Sequence, residues 1–242
     1  MDTSSRDSIR TQDRVARLFE YWKGNVCDED KQKLGRLAED KEELEDAFLS
    51  DLEFGTGGLR GILGIGTNRM NVYTVGKATQ GLANWLNSRF DHPRVAIARD
   101  TRRLSDVFMK TAACILAANN IKAYVYREVS PTPTLSYAVR QLRCEAGICI
   151  TASHNPAAYN GYKVYEGSGC QITENVAAQI QAAITKVDPF NDVRTTDFDE
   201  ALSKGAINWI SDDVLESYIN TVVSLSSKMD CSDITAAYTP LH

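Results

Sequence analysis

The sequence lacks the features that mark several large classes of protein. Its 242 residues contain no apolar run near the roughly 20 residues that span a bilayer. The polar segment Met1–Gln12 has no apolar centre of the kind found in signal peptides. Basic residues form no block and the net charge is −5, which argues against nucleic acid, because that binding depends on lysine and arginine meeting phosphate. We therefore expect a cytoplasmic protein that binds neither membrane nor nucleic acid.

Cysteine is present, but without the spacing of a zinc site or a disulfide framework. The six cysteines form no Cys-x-x-Cys pair, and several lie in apolar runs. This distribution predicts buried free thiols in a reducing compartment. The cysteines are Cys27, Cys114, Cys144, Cys149, Cys170 and Cys231.

The beginning of the chain has the pattern of charged amphipathic helices. Apolar residues between Val15 and Trp22 recur at i, i+3, i+4 and i+7, which gives one apolar stripe along a helix. The charged run Lys41–Asp46 predicts the solvated face of a further helix and not a metal site, because carboxylates that bind metals converge from loops. We expect residues 1–50 to form a helical extension that packs on the following domain.

Strands and helices alternate further along the chain. Arg94–Arg99 and Ile121–Arg127 predict strands, and Ala146–Ile150 predicts a strand buried on both faces because it is continuously apolar. Helical patterns separate these segments, and this β-α-β-α-β order predicts an α/β fold with a mixed sheet layered between helices. The pair Asn160-Gly161 predicts a turn, after which Tyr162–Tyr165 returns as the second strand of a hairpin.

Two α/β domains are expected, the second of them incomplete. We place the first domain at 51–190, a connection at 191–205 and the start of the second domain at 206–242. The polar stretch Asp188–Asp199, which contains a proline, marks the boundary. A strand predicted at Ile234–Tyr238 has no partner after it, and so we expect the front portion of a longer protein.

The sharpest chemical feature follows the buried strand. Ser153 lies in the segment Thr151–Pro156, and Lys163 comes ten residues after it. Ligands in layered α/β folds gather outside the carboxyl ends of strands, which is where this segment is expected. The local residues alone slightly favour an ordinary polar turn. A serine hydrolase has less support, because His154 is adjacent to Ser153 and would point away from it, and the flanking glycines of a nucleophile elbow are absent.

Two motifs occur together in this chain. One is the serine loop, 151–156, with Tyr-Asn-Gly-Tyr-Lys at 159–163, and the other is the glycine-rich segment Phe54–Gly61. The combination resembles the α-D-phosphohexomutase family of phosphoglucomutases and phosphomannomutases, in which the first is the active-serine loop and the second a phosphate loop. Arg99–Arg102 matches a third family segment. Tyr238–His242 resembles the strand that opens the family's second domain, and with the charged N-terminal helices it is similar to the phosphopentomutase-like branch.

The resemblance implies an isomerase that moves a phosphoryl group within a hexose or pentose phosphate. Ser153 would carry the phosphoryl group and exchange it between C1 and C6, or C5 of a pentose, through a bisphosphate intermediate. His154 and Lys163 are the other catalytic residues implied, and a glucose 1,6-bisphosphate-type activator is implied as well. The substrate- and phosphate-binding residues implied by the resemblance are Thr56, Gly57, Arg60, Asn155 and Lys163.

The resemblance also implies Mg²⁺. The ion would be held by Ser153 through its phosphate, with the remaining ligands from an Asp-rich loop in a later domain. The sequence has no Asp-x-Asp-x-Asp-like loop, and Asp197–Glu200 is explained better as a solvated connection. We therefore expect the chain to need the C-terminal domains of the same protein and to be inactive alone.

Positive charge near the serine is a physical requirement of this chemistry. A phosphoserine brings about −1.5 to −2 charges, and a sugar phosphate brings a similar load. Lys163 and Arg60 can offset this charge. Arg99, Asp100 and Arg102 are expected to orient neighbouring loops through ion pairs and not to touch substrate.

A sugar-phosphate-binding relative without turnover is the alternative on the same scaffold. Each group named above can bind phosphate, and the catalytic metal ligands lie outside the sequence. A pure binder has no need of a phosphorylatable serine, and Ser153 therefore favours the enzyme.

Overall fold

A six-stranded mixed sheet lies between layers of helices. The computed structural model describes residues 3–226 and 232–238. The strands in these residues are β1 (Leu59–Ile62), β2 (Arg94–Arg99), β3 (Lys122–Val125), β4 (Ala146–Ile150), β5 (Tyr159–Glu166) and β6 (Ile207–Trp209). The helices are α1 (Thr3–Asn25), α2 (Asp28–Leu37), α3 (Lys41–Phe48), α4 (Val72–Asn87), α5 (Ser105–Ala118), α6 (Thr132–Gln141), α7 (Glu174–Ile184), α8 (Phe198–Ser203) and α9 (Asp212–Ser224).

Four parallel strands form the centre and one side of the sheet. The strand order is β1-β5-β4-β2-β3-β6. Strands β4, β2, β3 and β6 run parallel, whereas β5 is antiparallel to both β4 and β1. This arrangement confirms the predicted α/β fold with a mixed sheet between helices. Strands β2 and β4 also have the predicted limits.

Both faces of the central strand β2 are buried, which explains its continuously apolar sequence. Val95 and Ile97 face the core that α4, α5 and α7 cover, whereas Ala96 and Ala98 face the core that α6 covers. Burial of a side chain such as Ile97 contributes about 1.5–3 kcal/mol. Because the central strand is packed on both faces, the carboxyl end of that strand has a fixed position.

The predicted turn at Asn160-Gly161 is wrong, because both residues lie inside β5. The predicted hairpin is present, since β4 and β5 pair antiparallel, and residues 151–158 connect them. Gly161 is required by close approach of the chain, because a Cβ atom there would lie 2.5 Å from the carbonyl oxygen of Thr151. In the sequence Gly161 therefore resembles a turn residue, although the fold needs a glycine there because Thr151 lies so close.

The three N-terminal helices form an apolar cluster with α4 and the segment after α7. Trp22 is 2% exposed, and its ring centroid lies 5.5 Å from that of Tyr73 and 5.4 Å from that of Phe190. The Tyr21 hydroxyl donates to the Asp188 carboxylate at 2.6 Å, and this hydrogen bond raises the pKa of Tyr21 to about 12. The N-terminal helices are thus fixed to the domain by packed rings and by a polar contact at the edge of the cluster.

The charged residues of these helices lie at the surface and form ion pairs. Lys33 pairs with Asp30 at 2.7 Å, and Asp46 pairs with Arg69 at 2.5 Å. The run Lys41–Asp46 forms most of α3, and one of its carboxylates anchors that helix to the domain. Of the helices in the described ranges, none has both the length and the apolar character needed to cross a membrane.

The last described strand adds to the same sheet, and the last described helix packs against one of the helices that cover it. Strand β6 pairs in parallel with β3, and α9 packs on α6. The hydroxyls of Tyr137 and Ser217 lie 2.6 Å apart across this helix pair. Strand β6 and helix α9 therefore pack with the first sheet and its helices. The limits expected for the two domains stay a prediction.

The strand expected at Ile234–Tyr238 is not formed. These residues have no regular secondary structure, and Ile234 and Tyr238 are exposed. Residues 239–242 lie outside the described part of the chain. The likeness of Tyr238–His242 to the opening strand of a second domain therefore stays a prediction.

Thiol reactivity should divide the five cysteines that the structure describes into two groups. Burial raises the pKa of Cys114 to about 11, of Cys144 to about 12 and of Cys149 to about 11, whereas Cys27 and Cys170 are exposed. Because the thiolate is the reactive form, iodoacetamide should label the two exposed cysteines of the native protein and spare the three buried ones. Peptide mass spectrometry measures this, with the denatured protein as the control. Rapid native labelling of Cys149 would contradict the described core.

Candidate functional site

The candidate site lies at one edge of the sheet, where the parallel strands end. The carboxyl ends of β4, β2, β3 and β6 meet there, because parallel strands point the same way. A cleft of about 690 Å³ opens at this edge, and its lining includes Ser153, Asn155 and Arg102. The predicted serine loop, 151–156, therefore lies where a ligand of an α/β fold is expected.

Ser153 and Lys163 form the central contact of the site. Ser153 is exposed, and its Oγ accepts a hydrogen bond from Lys163 Nζ at 2.7 Å. Lys163 lies on β5, opposite Cys149 near the end of β4. The antiparallel pairing thus brings a cation and a hydroxyl together from positions ten residues apart in the chain.

Arg60 places a second cation beside the serine loop. It lies on β1 opposite Gly161 of β5. Paired residues and alternate residues of a strand share one face, and so Arg60 and Lys163 extend from the same face of the sheet. Arg60 Nη1 donates to Asn155 Oδ1 at 2.8 Å. The structure therefore groups four of the predicted site residues: Ser153, Asn155, Arg60 and Lys163.

The glycine-rich segment forms a tight turn before β1. Gly55 N–H donates to the Gly58 carbonyl at 3.2 Å, and Gly58 N–H donates to the Gly55 carbonyl at 2.8 Å. Thr56 and Gly57, at the tip, are exposed, and in the described part of the chain their N–H groups have no hydrogen-bond partner. A Cβ atom on Gly58 would lie 2.9 Å from the Cα atom of Lys163. The turn is therefore held against β5 beside Lys163, although neither tip residue is hydrogen-bonded to the serine loop among the described residues.

His154 is not part of the grouped residues. Its side chain is exposed, and it makes no hydrogen bond or ion pair within residues 3–226 and 232–238. A proton-transfer role for His154 therefore depends on a bound substrate and stays a prediction.

In the segment Arg99–Arg102, Arg102 and its partner Asp100 orient the serine loop, whereas Arg99 bonds elsewhere. Arg102 Nε lies 3.4 Å from Asp100 Oδ2, and its terminal nitrogens donate to carbonyls of the serine loop and of Tyr159, the first residue of β5. Arg99 contacts the Arg127 carbonyl at 3.5 Å instead, and its Nε is buried without a partner among the described residues. The expected orienting role applies to Arg102 and Asp100.

Three residues support the site in roles that the sequence did not predict. Thr151 Oγ1 accepts from the Ser153 N–H at 2.9 Å. Asn160 Nδ2 donates to Ser105 Oγ at 3.0 Å, and Asn160 is fully buried. The contacting pair lies 55 residues apart in the chain, and local sequence patterns carry no signal for such a contact.

The described residues do not by themselves fit a magnesium ion. Mg²⁺ requires a near-octahedral set of oxygen ligands, and no group of three or more histidines, cysteines, aspartates or glutamates in the described residues is placed to hold a metal. The carboxylate of Asp100, in the cleft, is engaged by Arg102 and Ser105. Asp197 caps α8 by accepting from the Glu200 N–H, as expected for a solvated connection.

Substitution at Gly58 should destabilise the protein far more than substitution at Gly55. Gly58 has a φ of +74°, and a Cβ atom there would lie 1.9 Å from the Tyr162 carbonyl oxygen. The left-handed conformation alone costs roughly 1–2 kcal/mol, so Gly58→Ala should lower the free energy of unfolding by at least about 2 kcal/mol. Gly55→Ala is the control, because a Cβ atom there meets nothing within 4 Å. Urea unfolding followed by circular dichroism measures both, and equal stabilities would contradict the described turn.

Comparison with known proteins agrees with this geometry. A family model described as phosphoglucomutase/phosphomannomutase, alpha/beta/alpha domain I, matches residues 51–190. A phosphoglucomutase from Staphylococcus saprophyticus is 40% identical over 84% of this chain and 37% of its own length. One from Staphylococcus epidermidis is 37% identical over 90% of this chain and 40% of its own length. The chain thus spans about two fifths of the length of these relatives.

Solved structures show the same fold. A structure from Thermus thermophilus that carries the name phosphomannomutase has a TM-score of 0.60 and 26% identity, over 72% of this chain and 36% of its own. The parafusin structure from Paramecium has a TM-score of 0.57 at 18% identity, over 74% of this chain and 36% of its own. At that identity the second likeness concerns the fold alone. Together with the family model and the relatives, these findings show that the chain belongs to the phosphoglucomutase/phosphomannomutase family.

Proposed function

We propose that this chain is the phosphoserine-bearing part of a phosphosugar mutase, with Ser153 as the residue that carries the phosphoryl group. The observation that supports this proposal most directly is the 2.7 Å contact between Lys163 Nζ and an exposed Ser153 Oγ. That contact lies in a loop at the carboxyl edge of the sheet, in a member of a family of phosphoglucomutases and phosphomannomutases.

The charge near the loop suits a phosphate. Phosphorylation of Ser153 would add about −1.5 to −2 charges. Lys163 and Arg60 extend from the same face of the sheet and would offset this charge. The unpartnered N–H groups of Thr56 and Gly57 are the proposed donors to phosphate oxygens, since successive backbone N–H groups in a turn bind anions. Asn155, already joined to Arg60, would help to bind the substrate phosphate.

The transfer itself exchanges two oxygen atoms on phosphorus. A sugar hydroxyl oxygen forms a bond to the phosphorus, and the bond from phosphorus to Ser153 Oγ breaks with its electron pair left on Oγ. The Lys163 ammonium donates a hydrogen bond to that leaving oxygen and stabilises its developing charge. The proton of the sugar hydroxyl ends on Ser153 Oγ, and His154 is the proposed carrier.

The reverse transfer completes the isomerisation. The first transfer leaves a sugar bisphosphate, which would turn over in the site and return its other phosphoryl group to Ser153. The net result moves the group between C1 and C6 of a hexose, or to C5 of a pentose. A hexose 1,6-bisphosphate would also phosphorylate an unloaded Ser153, which is the proposed role of the activator.

The proposed enzyme also requires a metal ion and further domains of the same protein. A magnesium ion would take one ligand from the Ser153 phosphate and the others from residues outside the described ranges. The longer relatives support a requirement for further domains of the same protein. We propose the cytoplasm as the compartment, because the buried cysteines are free thiols.

Replacement of Ser153 by alanine should abolish phosphorylation and reduce mutase turnover to background, because the accepting oxygen is removed. Phosphopeptide mapping of the natural gene product and assays with glucose 1-phosphate measure the two effects. Ser88→Ala is the matched control, since Ser88 Oγ donates only to the Trp85 carbonyl at the end of α4. Normal turnover of the Ser153→Ala variant would rule out the phosphoserine.

Residues 1–242 alone should show no mutase turnover, because the described residues do not form the metal site. Measurable turnover by this purified chain would show that further domains are not needed. Binding of glucose 6-phosphate by a natural gene product in which Ser153 is never phosphorylated would favour a binding protein without turnover.

A further inference from the structure

Ser153 has a backbone conformation that serine rarely adopts. Its φ is 57°, in the left-handed region, which costs a residue with a Cβ atom roughly 1–2 kcal/mol. Such a conformation persists only where its surroundings over-determine it. Within the loop, the Ser153 N–H donates to Thr151 Oγ1. The Asn155 N–H donates to the Ala152 carbonyl at 3.2 Å and closes a turn around Ser153. A constraint from outside the loop adds to these two contacts.

The guanidinium of Arg102 supplies this constraint from outside the loop. Nη1 donates to the carbonyl oxygens of Pro156 at 2.9 Å and Tyr159 at 3.1 Å. Nη2 donates to the carbonyl oxygens of Ser153 at 2.8 Å and Asn155 at 2.6 Å. Three of these four acceptors lie in the connection 151–158, and the fourth, Tyr159, is the first residue of β5. Since a guanidinium is planar and its donors have fixed directions, the four carbonyls must converge on one plane.

The remaining N–H of Arg102 connects this clamp to β5. Its Nε faces Asp100 at 3.4 Å, and the Arg102 side chain is 15% exposed. Asp100 Oδ1 accepts from Ser105 Oγ at 2.9 Å, and Ser105 Oγ accepts from Asn160. Asn160 lies on β5, three residues before Lys163. One network therefore fixes both the serine loop and the strand that carries the cation.

We propose that Arg102 is a positioning residue, whose guanidinium holds Ser153 in the left-handed conformation and thereby keeps Ser153 Oγ within hydrogen-bond distance of Lys163 Nζ. Only the consequence for phosphoryl transfer rests on the proposed function. A lysine cannot replace Arg102, because an ammonium group has three donors and no fixed plane.

The backbone of Ser153 provides the first test. In Arg102→Lys, the Cα and Cβ chemical shifts of Ser153 should move out of the left-handed range, while circular dichroism shows the helices retained. Arg89→Lys is the matched control, because that guanidinium lies over the Trp85 ring and outside the site. A left-handed Ser153 in the Arg102→Lys protein would overturn the proposal.

A measurement on the unaltered chain covers the case in which the variant does not fold. Four carbonyl acceptors should stop rotation of the Arg102 terminal nitrogens, and so four separate Nη–H signals are expected in the nitrogen-15 spectrum. Arg17 is exposed and makes no side-chain hydrogen bond within the described residues, and so it should give averaged signals. Averaged Nη–H signals from Arg102 would show that the guanidinium does not clamp the loop.

Turnover by the natural gene product tests the consequence for the reaction. Misplacement of a reacting atom by about 1 Å can cost about a hundredfold in rate, so Arg102→Lys should lower kcat by about that factor and leave KM for glucose 1-phosphate nearly unchanged. A raised KM with normal kcat would show that Arg102 binds substrate instead. If Ser153 carries no phosphate in the unaltered protein, the proposed function fails, whereas the chemical shifts of Ser153 still decide the role of Arg102.

Discussion

The antiparallel pairing of β4 with β5 is the interaction on which the site depends. It reverses the chain after residues 151–158 and brings Lys163 to the end of β4. The register of this pairing is set by burial, because Tyr162 and Val164 lie in the main core and a shift of one residue would turn every side chain to the other face. The direction in which Lys163 points is therefore a consequence of how its neighbours are buried.

Sequence patterns predicted the buried strands of this fold, whereas they did not predict contacts between distant segments. The segment Ala146–Ile150 is apolar at every position because both of its faces are covered, and its limits were predicted. Strand β6 has three residues, too few for a periodic pattern, and its place beside β3 depends on the preceding helices. Asn160 and Gly161 were misread as a turn because their real partners, Ser105 and Thr151, belong to other segments.

In the candidate site, too, local motifs were predicted from the sequence and contacts between distant segments were not. The residues of the serine loop pointed to phosphate chemistry only when combined with the glycine-rich segment, since the local pattern alone slightly favoured a polar turn. The grouping of Arg60 with Asn155 follows from the pairing of β1 with β5, which no spacing in the chain reveals. That Arg102 would orient loops was predictable from its charge and its neighbours. Which carbonyls accept its hydrogen bonds depends on the folded path of residues 153–159.

The packing of the Trp22 ring, in α1, affects where the polypeptide can be truncated. Trp22 packs against both Tyr73 and Phe190, so a helix that precedes the segment matched by the family model covers two rings of that segment. An excised 51–190 polypeptide would present both rings to water and leave β3 with an open flank. The segment matched by the family model and the unit that packs together in the structure therefore have different limits.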